Sequence, residues 1–155
     1  HIQGLKENVL IEALEDQLIK NRVLFDKTKL PFIVRLIRPR LDLLTNIFHV
    51  SNYFLTPPKK YNKKSLKKVS GEKTLDILNE IITRLEGCEV FRSKEIKNFL
   101  EKYIDDSGLG FGNVLGLVRL AIVGELSGAD LFETMELLEK NPSIKRLQAL
   151  ASFVA

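Results

Sequence analysis

Apolar residues recur at helical spacing through almost the whole chain. Leu5, Val9, Leu10, Ala13, Leu14 and Leu18 predict an amphipathic helix over about residues 5–21. Asp26 is a candidate cap for a second helix, which carries Phe32, Ile33, Leu36 and Ile37 and meets Pro39. A third is expected from about Asp42 to Leu55, with Leu44, Ile47, Phe48 and Phe54 inward. "TPPKKYN" then breaks the pattern, because paired prolines favour extended chain. A short helix fits residues 62–69. Ser70 caps a longer one with Leu75, Leu78, Ile81, Ile82 and Leu85, stopping at Gly87. Ser93 opens another with Ile96, Phe99, Leu100, Tyr103 and Ile104, and "DDSGLGFGN" reads as a turn-rich connection. Helices follow from Phe111 to Val123 and from Asp130 to Glu139. Asn141 and Pro142 then read as an N-cap and a first-turn proline for the last helix, with Leu147, Leu150 and Phe153.

No run alternates with the two-residue period of a strand. The expected fold class is all-α, a two-part bundle of about eight to nine helices. The proline-lysine segment divides it into an N-terminal helical subdomain, 1–62, and a C-terminal one, 63–155.

Charge changes this picture in one place. The chain has 155 residues and a formal charge of +4, and residues 43–71 contain no acid. Within that gap "PPKKYNKKSLKK" holds Lys59, Lys60, Lys63, Lys64, Lys67 and Lys68, so the rest of the chain is slightly acidic. Such asymmetry suits a polyanion near one region, and a solvated lysine loop is the alternative. The segment "FIVRLIRPRLDLLTN" raises a second question, since it places Arg35, Arg38 and Arg40 around a helix-breaking Pro39.

Catalytic chemistry is scarce. The single cysteine, Cys88, allows no internal disulfide, leaves no thiol pair for a metal site, and reads as a small filler residue near a helix end. His49, beside Phe48 and Val50, reads as structural. His1 reads as part of an added tag, and "HIQG" without methionine as the start of a piece of a longer protein. "GLGFGN" follows no strand and lacks the Lys-Ser or Lys-Thr of a phosphate loop, so Gly108, Gly110 and Gly112 are turn glycines. No apolar run approaches the roughly 20 residues that span a bilayer, and no signal peptide is expected. Binding is the better expectation. Arginines at a helix break, and Tyr53 and Tyr61 near the lysines, suit single-stranded nucleic acid, whose splayed bases stack and hydrogen-bond.

The segment "GNVLGLVRLAIVGELSGADLFETMELLEKNPSIKRLQAL" resembles the C-terminal anticodon-binding region of bacterial glutamyl-tRNA synthetases. That family carries a glycine, then "PLR-A-TG", a short loop, a helix with "LL", and "R-L". Gly112, Leu117, Arg119, Ala121, Gly124, Leu131, Leu137, Leu138, Arg146 and Leu147 stand at the corresponding places. "IRPRLDLL" and "NYFLTPP" are similar to the family's "RPR-TL" and the aromatic-rich helix after it, so the resemblance covers nearly all of the chain. The chain departs from the pattern at Val123, where the family has Thr, at Ala129, where Pro is common, and at Glu139, where "LG" supplies a glycine. The lysine run is not part of the family pattern, and the catalytic "HIGH" and "KMSKS" signatures are missing.

The resemblance implies a tRNA anticodon-arm binding module for glutamate-accepting tRNA, continuous with an upstream catalytic domain that uses ATP and magnesium. No catalytic residue, cofactor or metal is implied within this chain. An arginine of "RPR" in the family reads the first anticodon base. That role falls to Arg40, with Arg38 second, since arginine can donate to O2 or N3 of cytosine. The loop after Gly124, with Ser127, Gly128, Ala129 and Leu131, is expected against the other anticodon bases through its backbone. The six lysines are expected either on tRNA phosphates or in solvent. Pro39, Arg119 and Gly124 are assigned structural roles, Arg119 pairing with an acid such as Glu125 or Asp130 and Arg35 forming a surface ion pair. A monomeric cytoplasmic protein without membrane contact is expected. The alternatives are the same region of a non-discriminating glutamyl or a class I lysyl synthetase, and a helical protein-interaction module.

Overall fold

The computed structural model describes residues 5–155; the start of the chain, including His1, lies outside the described residues. Nine α-helices form among them, with no strand: α1 Glu7–Lys20, α2 Leu30–Ile37, α3 Ile47–Ser51, α4 Lys63–Val69, α5 Thr74–Glu86, α6 Ser93–Ser107, α7 Phe111–Val123, α8 Leu131–Leu138 and α9 Lys140–Val154. The all-α expectation holds. One apolar cluster unites Leu10, Leu14 and Leu18 of α1 with Ile33, Val34 and Ile37 of α2, and with Ile47 and Phe54. A larger one is built from α5 to α9 around Leu78, Ile81, Leu85, Leu100, Leu117, Leu147 and Leu150. Ala129, from the far end of the sequence, is buried in the first cluster. The boundary expected at residues 62 and 63 falls where Asn62 caps α4, its side-chain oxygen accepting from the Ser65 amide at 2.9 Å.

Four local expectations are corrected. The helix expected over 42–55 is a five-residue α3 flanked by 3₁₀ turns at Leu44–Asn46 and Asn52–Phe54. The run from Thr45 to Asn52 is made of weak helix formers, and the buried Ser51 hydroxyl bonds back to the Ile47 carbonyl at 2.6 Å. Ser70 closes α4 instead of opening α5, which starts at Thr74, whose hydroxyl accepts from the Gly71 amide at 2.7 Å. "DDS" belongs to α6, which stops at left-handed Gly108. The last helix begins before Asn141, at Lys140, because Glu139 turns the chain sharply at φ 74°. Pro142 then lies in the first turn, where its missing N–H would have no helical partner anyway.

Helix C-termini leave carbonyls without helical partners, and three cations fill them. Lys29 Nζ donates to Leu137 O at the end of α8 (3.1 Å), Lys140 Nζ to Glu86 O at the end of α5 (2.5 Å), and Arg146 Nη1 to Ile122 O at the end of α7 (2.6 Å). A positive charge there also complements the helix dipole. Arg146 is 5% exposed and also donates to Tyr53 O at 2.5 Å, joining α9, α7 and the turn after α3. Burial pulls its pKa down to about 10, so it stays charged at neutral pH.

Candidate nucleic-acid interface

The "RPR" segment is shaped by its proline. Pro39 cannot donate the next helical hydrogen bond, so α2 ends at Ile37 and Arg38–Arg40 forms a 3₁₀ turn closed by Leu41 N to Arg38 O at 3.2 Å. Arg40 emerges from this turn exposed, on the wall of a cleft of about 740 Å³. Lys59 and Lys60 of the proline-lysine segment, and Ser127 and Gly128 of the loop between α7 and α8, line the same cleft. Residues 87 positions apart in sequence (40 to 127) thus share one concavity.

Tyr53 also lines this cleft. Burial raises its phenol pKa, opposed by a hydrogen bond from the Ala129 backbone and by the charges of Arg119 and Arg40. Its ring is tilted against Phe54 with centroids 4.3 Å apart. Arg119 Nη1 donates to Ala129 O at 2.8 Å. The expected acid partner for Arg119 is therefore replaced by a backbone carbonyl, and Glu125 instead accepts from Asn62 Nδ2 at 3.0 Å. Burial lowers the Arg119 pKa, partly offset by Tyr53 and Asp130. Gly128 has φ 148°, and a Cβ there would lie 3.3 Å from Arg119 Nη1, so a side chain at this point of the loop would be strained and would press on Arg119.

The proline-lysine segment is docked rather than free. Gly124, left-handed at φ 82°, ends α7, and its carbonyl accepts from the Asn62 amide at 3.0 Å. A Cβ on Gly124 would stand 2.8 Å from Lys60 O and 3.1 Å from Pro58 Cβ.

Other expected residues divide. Arg38 is half-exposed and does not line the cleft; the Glu7 pKa on α1 is lowered chiefly by its hydrogen bond from Arg35, with a smaller contribution from the Arg38 charge. Arg35 forms the surface pair with Glu7, Nε to Oε1 at 2.5 Å. Ala129 and Leu131 are each 4% exposed, so their side chains face the core; Leu131 follows Asp130, whose carboxylate caps α8 through the Glu133 amide at 2.9 Å. Lys63, Lys64, Lys67 and Lys68 are exposed on α4, outside the cleft lining. Sequence reasoning missed Asn21, Asn52 and Thr56 in the cleft, and it read His49 as structural although that side chain is exposed there. Asn52 and Thr56 lie within the "NYFLTPP" string but carry no chemical signature of their own, and Asn21 and His49 belong to no motif; the tertiary meeting of α1 with α3 and the turns after it brings them together.

The cleft therefore offers an arginine fork, two lysines, a tyrosine, and a glycine-opened backbone. It has cations for phosphate, a ring for stacking, and main-chain groups for base edges. A model of the anticodon binding domain family matches residues 9–151. The chain belongs to this family. As an anticodon binding domain it is 27% identical over 148 residues to the glutamate–tRNA ligase of Christiangramia forsetii, covering 96% of this chain and 29% of that protein. It is 30% identical over 120 residues to the glutamate–tRNA ligase of Flavobacterium johnsoniae, covering 77% and 24%. Among solved structures, a glutamate tRNA ligase from Elizabethkingia meningosepticum in complex with its amino acid superposes with a TM-score of 0.90 at 24% identity, over 99% of this chain and 30% of that one. The domain thus spans less than a third of the length of these relatives. No helix among its described residues is long and apolar enough to cross a membrane.

Proposed function

We propose that the chain is the anticodon-arm binding module of a glutamate–tRNA ligase, and that the cleft between the two apolar clusters receives the anticodon loop. The observation that carries this reading is the convergence of Arg40, Lys59, Lys60, Tyr53, Ser127 and Gly128 on one concavity in a domain of this family. Arg40 is the base-reading residue, projected by the Pro39 turn so that its planar fork can donate to the first anticodon base. Ser127 and Gly128 contribute backbone, while Ala129 and Leu131 anchor that loop in the core. Arg38 supports α1. Glutamate-accepting tRNA is the partner, and ATP and magnesium serve a catalytic domain outside this chain and continuous with it. The domain is monomeric and works in the cytoplasm.

Arg40→Gln tests the assignment. A good arginine–base contact discriminates by about 1–3 kcal/mol, so the variant should lose roughly 5- to 150-fold of its preference for hairpins with the cognate first anticodon base, while melting as wild type does. Equal preference in wild type and variant would remove Arg40 from recognition.

A further inference from the structure

The cleft takes up only the first two of the six lysines, Lys59 and Lys60. The other four, Lys63, Lys64, Lys67 and Lys68, are exposed on α4, and among the described residues none of them takes part in an ion pair. α4 is not a solvated linker. Asn62 caps it and is itself tied to Gly124 O and to Glu125. Val69 is buried and Leu66 half-buried against the larger apolar cluster. Gly116 of α7 leaves the gap that Val69 fills, since a Cβ there would come within 2.9 Å of Val69 Cγ1. The helix is thus seated on α7 with its lysines outward, as an array held in fixed register beside the cleft.

The chemistry of this array narrows the partner. Lys63 and Lys67, and Lys64 and Lys68, form two i,i+4 rows, each pair about 6 Å apart along the axis. Lysine is a compact point charge suited to single phosphate oxygens, not to the paired donors of a base edge. A membrane-surface helix would need its apolar face outward, whereas Leu66 and Val69 are turned in. A stable protein interface needs an apolar centre, and the outward positions of α4 are lysines. Three acids bear on this region: Glu125, occupied by Asn62; Asp130, which caps α8 and lines a second hollow with Lys68 and Arg119; and exposed Glu72, in the turn beyond the C-terminal end of α4. None of the three stands within α4 or pairs with its lysines.

We infer that α4 is a phosphate-binding ridge for the double-helical stem of the RNA whose loop occupies the cleft. This rests on the cleft reading and extends the contact surface from the loop, through Lys59 and Lys60, onto the paired stem. The ridge adds affinity for any stem of this geometry and no base preference.

The test replaces Lys63, Lys64, Lys67 and Lys68 together by Gln in the 155-residue chain. Affinity is measured by fluorescence anisotropy between 50 and 200 mM KCl, for an anticodon hairpin and for an unpaired strand of the loop sequence. Each neutralised phosphate contributes roughly 0.7–0.9 to the salt slope, so four should remove about 3 from it. The wild-type advantage on the hairpin should then shrink about 60-fold across this salt range. The unpaired strand should bind both proteins alike, and arginine at the four positions should retain the wild-type slope. An unchanged hairpin slope, equal loss on the unpaired strand, or binding of poly-glutamate that depends on these lysines as strongly would overturn the inference. Arg40→Gln keeps the two readings apart, because its failure to alter first-base preference concerns the cleft and leaves the hairpin salt slope as the measure of the ridge.

Discussion

Gly124→Ala probes the joint on which both the cleft and the lysine array depend. Two costs add. A left-handed φ of 82° disfavours any L-residue with a Cβ by about 1–2 kcal/mol. The new methyl would also stand 2.8 Å from Lys60 O and 3.1 Å from Pro58 Cβ, so the proline-lysine segment must lift away. Lifting it breaks the 3.0 Å bond from the Asn62 amide to Gly124 O, worth about 1 kcal/mol net. The sum is about 2–3 kcal/mol, which for a domain of this size lowers the melting midpoint by roughly 4–12 °C. Thermal unfolding followed by circular dichroism, with a urea series to check that the m-value is unchanged, gives the comparison. Gly112→Ala is the companion variant: it lies in the first turn of α7, and its Cβ would meet nothing within 4 Å. It should be neutral or stabilising by up to about 1 kcal/mol. A Gly124→Ala midpoint equal to wild type would refute the docked-segment account.

Glu139→Gly should act in the opposite direction. Glu139 occupies φ 74°, ψ 168°, a region that costs a side-chain-bearing residue about 1–3 kcal/mol; after loss of its exposed pair with Lys29 and the entropy of glycine, denaturation should show a net gain of up to about 1 kcal/mol. Arg146→Ala removes the bonds to Tyr53 O and Ile122 O and leaves two carbonyls without their donor, so urea unfolding should show a loss of about 2–4 kcal/mol.

The long helices were legible because their apolar periodicity is strong: α6 begins at the expected Ser93, and α7 runs from Phe111 to Val123 as expected. The 42–55 region was not, because residues whose helix propensity is weak are held by tertiary contacts of Ile47 and Phe54. The expected departure at Glu139 had a physical meaning only once its φ was known, since a residue with a side chain can still adopt a conformation that glycine takes more readily, under strain. Motif order suggested Arg40, Ser127 and Gly128, yet it could not say that Ala129 and Leu131 turn inward or that Arg38 lies outside the cleft lining. Nor could it show that Arg119 serves a carbonyl, or that Lys29, Lys140 and Arg146 close helix ends contributed by distant segments. Those partners exist only after the two clusters have met.

The most direct measurement is an amide chemical-shift map of the ¹⁵N-labelled domain titrated with an anticodon hairpin of glutamate-accepting tRNA. The account predicts the largest shifts at Arg40, Tyr53, Lys60, Ser127 and Gly128, the residues that share the cleft. Shifts centred instead on the hollow around Arg92, Glu136 and Lys140, with the cleft amides unmoved, would contradict it.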